Sequence, residues 1–295
     1  MQRKAGRVPS SGHLSRLKPV EIDPLAEYGL PSKGEKRLLN PKTQETYYAK
    51  IAERYLAFCT SAGDASELQK RFSLLCLSSP PGASSSSTTR PNPSPNNPNT
   101  ESELALLLSA LRKLRESLVA TSRTDTFASQ VYLFSIRLGI LTSHLETYHP
   151  SLLHLLRVIH PVSNLTSTEY TEVVSYLVLD TACRRDDLSE AYFLRNKYRL
   201  REGKVDGVLR ALVRGDWVLW GRMRRAVDGY GRKLMEMAEG GVRGHALRAF
   251  GRAYLSVGVE YLEKSVFMGW EELKGEYGVG WERCGGRVVI RKVGG

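Results

Sequence analysis

The sequence contains no apolar run of the roughly 18–20 residues needed to cross a bilayer. Its most apolar stretch, Val131–Leu141, is broken by Ser135, Arg137 and Gly139 and reads as a buried helix, so no membrane partner is expected. Cysteine is scarce: Cys59, Cys76, Cys183 and Cys284 lie far apart and form no CxxC pair. That excludes a disulfide framework and a cysteine zinc site, and points to reduced, mostly buried thiols in a reducing compartment. Also missing are GxxxxGK[ST], GxSxG and HExxH, and with them the usual phosphate loop, nucleophile elbow and zinc helix. His144, His149, His154 and His160 fall within 17 residues with Glu146 as the only acid among them, which fits helix-end and partly buried histidines better than metal ligands. Gly240, Gly241 and Gly244 follow no strand, so they read as a flexible joint between helices and not as a dinucleotide turn. No enzyme activity, cofactor, metal or small-molecule substrate is expected.

What is present suits a folded protein. The chain has 295 residues, 41% hydrophobic and 25% charged, enough for one large domain or two modest ones. Lys and Arg number 43 against 31 Asp and Glu, for a net charge of +12. Residues 1–39 read as a basic flexible tail. Residues 1–20 carry Arg3, Lys4, Arg7, Arg16 and Lys18 with no acid before Glu21, the composition of a mitochondrial transit peptide. Gly6, Pro9 and Gly12 spoil its amphipathic helix, so a cytoplasmic or nuclear location is preferred over a mitochondrial one. Residues 78–101 form a Ser/Pro/Asn insert: 20 of the 23 residues from 78 to 100 are Ser, Pro, Thr or Asn. Such a segment buries too little surface to offset its ordering entropy and is expected to be disordered.

Between and after these segments the pattern is helical. Residues 40–77 hold N-terminal helices: Asn40-Pro41 is a cap and first position, followed by Tyr48, Ile51, Tyr55 and Leu56, with a second short helix after Asp64. Residues 102–242 read as a body of antiparallel helical repeats. Leu104, Leu107, Leu108, Leu111, Leu114 and Leu118 follow helical spacing. Further helices are predicted over 127–145, 150–159 (with Pro150 in the first turn), 169–183 (capped by Ser167 or Thr168) and 188–198. In Arg214-Gly215-Asp216, Gly215 suits a left-handed stop and Asp216 a cap for the helix 217–227, which explains the triplet better than an adhesion motif. Residues 243–295 give three short helices, 244–255, 259–267 and 270–277, closed by a hairpin ending in Val288-Val289-Ile290. This is the pattern of a winged helix. The fold class expected is mainly α, with that short β-hairpin at the end.

Charge is concentrated. Residues 191–253 hold 15 basic and 6 acidic side chains, +9 of the total +12. On the helix 217–227, Trp217, Trp220, Met223 and Val227 are placed on a core face, with Arg222 and Arg225 opposite. Together with Arg232 and Lys233 they form a candidate face for nucleic acid or for an acidic partner. The third C-terminal helix carries Glu271, Glu272 and Glu276 against Lys274, so it is unsuited to reading a nucleic-acid groove.

The segment Arg248–Val257, followed by Tyr261-Leu262, Gly269-Trp270, Trp281 and Val288–Arg291, resembles the C-terminal module of PCI-type proteins, named for the proteasome lid, signalosome and initiation factor. The likeness spans roughly residues 103–293. It is greatest to the small-subunit branch, which includes the smallest signalosome subunit, a lid subunit and the k subunit of the initiation factor. The insert, the basic tail and the positive charge depart from those subunits. The resemblance implies a non-catalytic scaffold that binds other subunits of a multi-protein complex through its helical body and winged helix. Leu247, Phe250, Leu262 and Trp270 would form the winged-helix core and interface. Isopeptidase activity belongs to other subunits of such complexes, whose His-x-His motif with a following Asp is missing here. The alternative is an RNA- or DNA-binding adaptor in RNA processing or export, using the basic face of residues 191–253.

Overall fold

Asn40 opens the first long helix: its side chain accepts the Lys42 N–H at 3.0 Å, and Pro41 occupies a position where no N–H is needed. The structure, a computed structural model, describes residues 23–63, 67, 68, 72 and 98–291. In α1 (Pro41–Ser61) the inner face is Gln44, Tyr47, Ile51 and Phe58, while Leu56, expected to face inward, is 61% exposed. The short helix expected after Asp64 lies largely outside the described residues, although the Phe72 ring packs on Phe58.

The expected tail is shorter than 1–39. Residues 23–39 are held down because Leu25 and Leu38 are buried in the main core. The Leu25 carbonyl accepts from the Tyr47 hydroxyl at 2.9 Å and from Lys113 Nζ at 3.2 Å. Arg37 clasps Glu35 and Glu27, and its hydrogen bonds pull the Glu35 carboxyl down to about 2. Residues 1–22 lie outside the described residues. The expected insert is also shorter at its far end. Pro98–Glu101 form the first turn of α2 (Pro98–Ala120), with proline again at a helix start, and residues 78–97 lie outside the described residues.

All six leucines of the α2 ladder are buried, and each contributes on the order of 1.5–3 kcal/mol by leaving water. α3 (Thr126–Leu141) ends earlier than predicted because Ser143 turns left-handed, at φ 52°, and His144 begins a new helix. α4 (Leu145–His154) therefore carries Pro150 in its interior, not in its first turn, and runs into a π-helical turn at Leu155–Ile159. α4 can lie close to α3 because Gly139 has no side chain: a Cβ there would stand 2.9 Å from Tyr148 Cβ and 3.0 Å from its backbone nitrogen. α5 (Ser167–Cys183) is capped by Thr166 in a reciprocal box with Glu169, one residue before the predicted caps. Asp180, fully buried on α5, accepts from the Tyr148 hydroxyl at 2.6 Å and from Arg184 at 2.7 and 2.8 Å.

α6 (Leu188–Lys197), α7 (Gly203–Arg214) and α8 (Trp217–Ala226) follow. Consecutive helices pack as pairs, α3 with α4, α5 with α6 and α7 with α8. Gly215 stops α7 at φ 62°, and Asp216 caps α8 by accepting the Leu219 N–H at 2.8 Å, as the sequence predicts. α9 (Gly229–Glu236) then returns to pack on both α5 and α3. Tyr176 of α5 donates its hydroxyl hydrogen to Asp228, the α9 cap, at 2.7 Å.

Gly240, Gly241 and Gly244 are not a joint. They lie in the first two turns of α10 (Glu239–Ala253), where Ala246, Leu247 and Phe250 of the same helix are buried and hold it in place. A small three-stranded antiparallel sheet, two strands of it the predicted hairpin, closes the chain. β1 (Ser256–Gly258) precedes α11 (Val259–Val266) and α12 (Trp270–Tyr277), and β2 (Glu282–Cys284) and β3 (Arg287–Val289) turn about left-handed Gly285. The strand order is β1-β3-β2, with Val257 and Arg283 both opposite Val288. The sequence predicts no strand at β1 and runs the preceding helix to residue 255, whereas α10 ends at Ala253. No helix among the described residues is long and apolar enough to cross a membrane.

Candidate partner interface

Two buried clusters meet at α8. Trp220 is fully buried in the main core with Met223 and Val227 beside it, whereas Trp217 packs against the C-terminal cluster. The single core face predicted for α8 is therefore two stripes. Trp220, Met223 and Val227 face the body. Trp217, Gly221 and Arg224 face the C-terminal module, where Gly221 leaves room for the Phe267 ring and Arg224 lies over that ring at 5.9 Å. A third stripe, Val218, Arg222 and Arg225, faces out and is exposed, as predicted for the two arginines. The 3.6-residue turn explains the division: positions i, i+3 or i+4, and i+7 share a side of a helix, and the residues of α8 fall on three such sides.

The predicted basic face is thinned by internal pairing. Arg222 and Arg225 are exposed and make no ion pair among the described residues. Arg232 is exposed but its Nε donates to the Arg224 carbonyl at 3.0 Å. Lys233 does not join them as a free cation: it is half-buried and paired with Glu236 at 2.8 Å. Others in the basic stretch are likewise committed. Arg224 pairs with Glu239, Arg195 with Asp206, and buried Arg243 donates to the Val266 carbonyl at 2.8 Å and to the Tyr277 hydroxyl at 3.2 Å.

Leu247, Phe250, Leu262 and Trp270, predicted to share a core, are all buried in the C-terminal cluster with Val257, Val266, Leu273 and Val288. From this core an aromatic chain runs outward. Phe250 lies 5.6 Å from both Trp217 and Tyr254 and 6.0 Å from Tyr261, ring centre to ring centre. Beyond it, β2 forms one edge of the sheet with all three residues exposed.

Between α8 and α11 lies a groove of about 480 Å³, with apolar walls of Trp217, Val218, Tyr261 and Phe267 and with Arg225 and Lys264 on it. Sequence reasoning did not single out Val218, Lys264 or Phe267. A signal for Val218 existed, since it is an apolar residue in helical register with Arg222 and Arg225.

A second, more open cleft of about 780 Å³ is lined by α5, α7 and α9 residues together with Arg137. Four of its ionisable groups, Arg137, Glu172, Tyr176 and Asp228, are bonded into one network. Arg137 forks onto Glu172 with two bonds of 2.8 Å, and the Tyr176 hydroxyl sits between Glu172 and Asp228. Burial, then the Asp228 bond, pushes the Tyr176 phenol well above its usual range. The four clustered histidines each have a separate neighbour: His144 meets Thr147, His149 meets Asp180, and His154 and His160 stack on Tyr132 and Tyr170. No group of three or more His, Cys, Asp or Glu converges on one point among the described residues. The chain matches no protein-family model, and no curated protein is significantly similar to it.

Proposed function

We propose that this protein is a non-catalytic scaffold subunit of a multi-protein complex, built as a PCI-like helical-repeat body with a C-terminal winged helix. The observation that carries the reading is the double use of α8. Trp220 ties it to the body and Trp217 ties it to the C-terminal module, so partners bound to either part are held in fixed relation. Three helices closed by a hairpin wing support the winged-helix assignment, and the pairing of consecutive helices supports the repeat assignment. The β2 edge offers backbone groups for pairing with a strand of another subunit. The test is tagged purification of the full chain from native cells at moderate salt, with and without nuclease. Stable recovery of lid, signalosome or initiation-factor subunits supports the scaffold, and recovery of no stoichiometric partner refutes it.

A second reading, an RNA-binding adaptor, is favoured by one observation: Arg222 and Arg225 are exposed without ion pairs among the described residues. Binding through phosphates falls with salt at a log–log slope of about −0.7 to −0.9 per contact. Changing Arg222, Arg225 and Arg232 to Glu should then weaken RNA binding across sequences, while Lys274→Ala leaves it unchanged. Salt-insensitive or absent RNA binding in anisotropy measurements removes this reading.

A further inference from the structure

We infer that the groove between α8 and α11 receives an acidic peptide segment of a partner protein, seating an aromatic or large aliphatic side chain against Trp217 and its carboxylates on Arg225 and Lys264. The inference deepens the scaffold reading and rests on it for the partner being a protein.

Three independent features of the groove lead there. Its apolar walls are open to solvent on the outer side: Val218 is 55% and Tyr261 50% exposed, and neighbouring Tyr254 and Leu255 are 46% and 54% exposed. Exposed apolar residues scattered singly are ordinary, but here the ring contacts through Phe250 tie Trp217, Tyr254 and Tyr261 into one chain that runs from core to surface. The second feature is a donor without an acceptor. The Trp217 indole N–H is shielded from solvent and has no hydrogen-bond partner among the described residues. The ring lines the groove, and its N–H lacks the acceptor that a buried indole ordinarily has.

The third feature is charge. Arg225 makes no ion pair among the described residues, and Arg222 stands one turn before it in the same state. Lys264 is paired with Glu260 at 2.6 Å, but the two side chains are 73% and 83% exposed, and such a surface pair is easily exchanged for another. The two acids of α11 are Glu260, paired with Lys264, and Glu263, which accepts the Trp270 N–H at 2.9 Å, so the cations Arg222, Arg225 and Lys264 are in excess here and the complement is a segment carrying Asp or Glu. The two long segments outside the described residues do not fit. Residues 1–22 hold Glu21 against five Lys and Arg, and residues 73–97 hold no acid. Nucleic acid fits less well: a strand needs a row of unpaired cations along its phosphates and open ring faces for its bases. Among the described residues Arg225 is the one lining cation without an ion pair, and the Trp217 ring is tilted 45° against Phe250.

The full-length protein and its Val218→Asp/Arg225→Glu variant are panned against a random-peptide display library, and selected peptides are resynthesised with fluorescein for anisotropy. Both substituted side chains are exposed, so the variant should keep the wild-type thermal melt; Tyr261→Ala serves as a second groove variant. The expected peptides carry Asp or Glu around Phe, Trp or Leu and bind the wild type at least about tenfold more tightly than either variant. Selection of neutral or basic peptides, equal binding by the variants, or no enrichment overturns the inference. So does a uridine oligonucleotide that binds with the same groove dependence, or a wild-type dimer that dissolves in the double variant. Tagged purification of the double variant separates the two readings. Partners kept by wild type and variant alike refute the groove and leave the scaffold, whereas a wild type without partners refutes the scaffold itself.

Discussion

Trp217 and Trp220 share one turn of α8 and serve different cores: half-buried Trp217 packs against Phe250 of the C-terminal module, and fully buried Trp220 sits among the body helices. Truncating a fully buried Trp costs about 3–5 kcal/mol, so Trp220→Ala should lower the melting temperature of the whole protein. Trp217 is only half-buried, and its truncation should loosen residues 244–290 while leaving the body melt nearly in place. Hydrogen exchange followed by mass spectrometry separates the two outcomes. Uniform exchange in Trp217→Ala would mean that the cores melt as one.

Gly139→Ala is expected to destabilise despite its better helix propensity. The added methyl would meet the Tyr148 backbone nitrogen at 3.0 Å, and a backbone atom cannot swing aside as a side-chain tip can. Separating α3 from α4 should cost about 1–3 kcal/mol, read from the urea midpoint. A midpoint at or above wild type would show that the helices have slack there.

Asp180→Ala removes the carboxylate reached by both Tyr148 and Arg184 and leaves a guanidinium without this partner beside the core. The expected loss is about 3–5 kcal/mol. Tyr148→Phe, which deletes one hydroxyl and keeps the ion pair, should cost only about 1 kcal/mol. Denaturant titration of the pair checks the ratio, and similar losses in both would remove Asp180 as the hub.

Thiol reactivity offers a test by pH. Burial, followed by the nearby Asp180 and Asp186, pushes the Cys183 thiol up to about 12, while Cys284 on β2 is exposed. Because the folded value lies above the unfolded one of about 8.5, the neutral thiol favours the folded state fully below that pH, and this contribution is lost as pH rises toward 12. Iodoacetamide at pH 8.5 should therefore label Cys284 and spare Cys183 until denaturant is added. Peptide mapping decides, and rapid Cys183 labelling in the native protein would contradict its burial.

Several parts of this fold can be read from sequence because they depend on near neighbours. The leucine ladder of α2, the Asn40 and Asp216 caps and the Gly215 stop each need only a few consecutive residues. What escapes depends on distant partners. β1 has three residues and exists because β3 pairs with it, and Gly240 and Gly241 are helical because Leu247 and Phe250 anchor the rest of α10. The charge excess that marks a candidate face is visible in composition. That Lys233 and Arg243 are spent on Glu236 and on the Val266 carbonyl is not, since both depend on which helix sides face which.

The placement of α9 sets an order on folding. The pairs α3 with α4, α5 with α6 and α7 with α8 join neighbours in sequence and close short loops, which is fast. α9 instead lies on α3, nearly a hundred residues upstream, and on α5 through the Tyr176–Asp228 bond. During synthesis the earlier helices can pair as they emerge, but the surfaces of α3 and α5 that α9 covers stay open until residues 229–236 have left the ribosome. Chains stalled before that point carry this unfilled apolar seam, and it is where a chaperone would hold them.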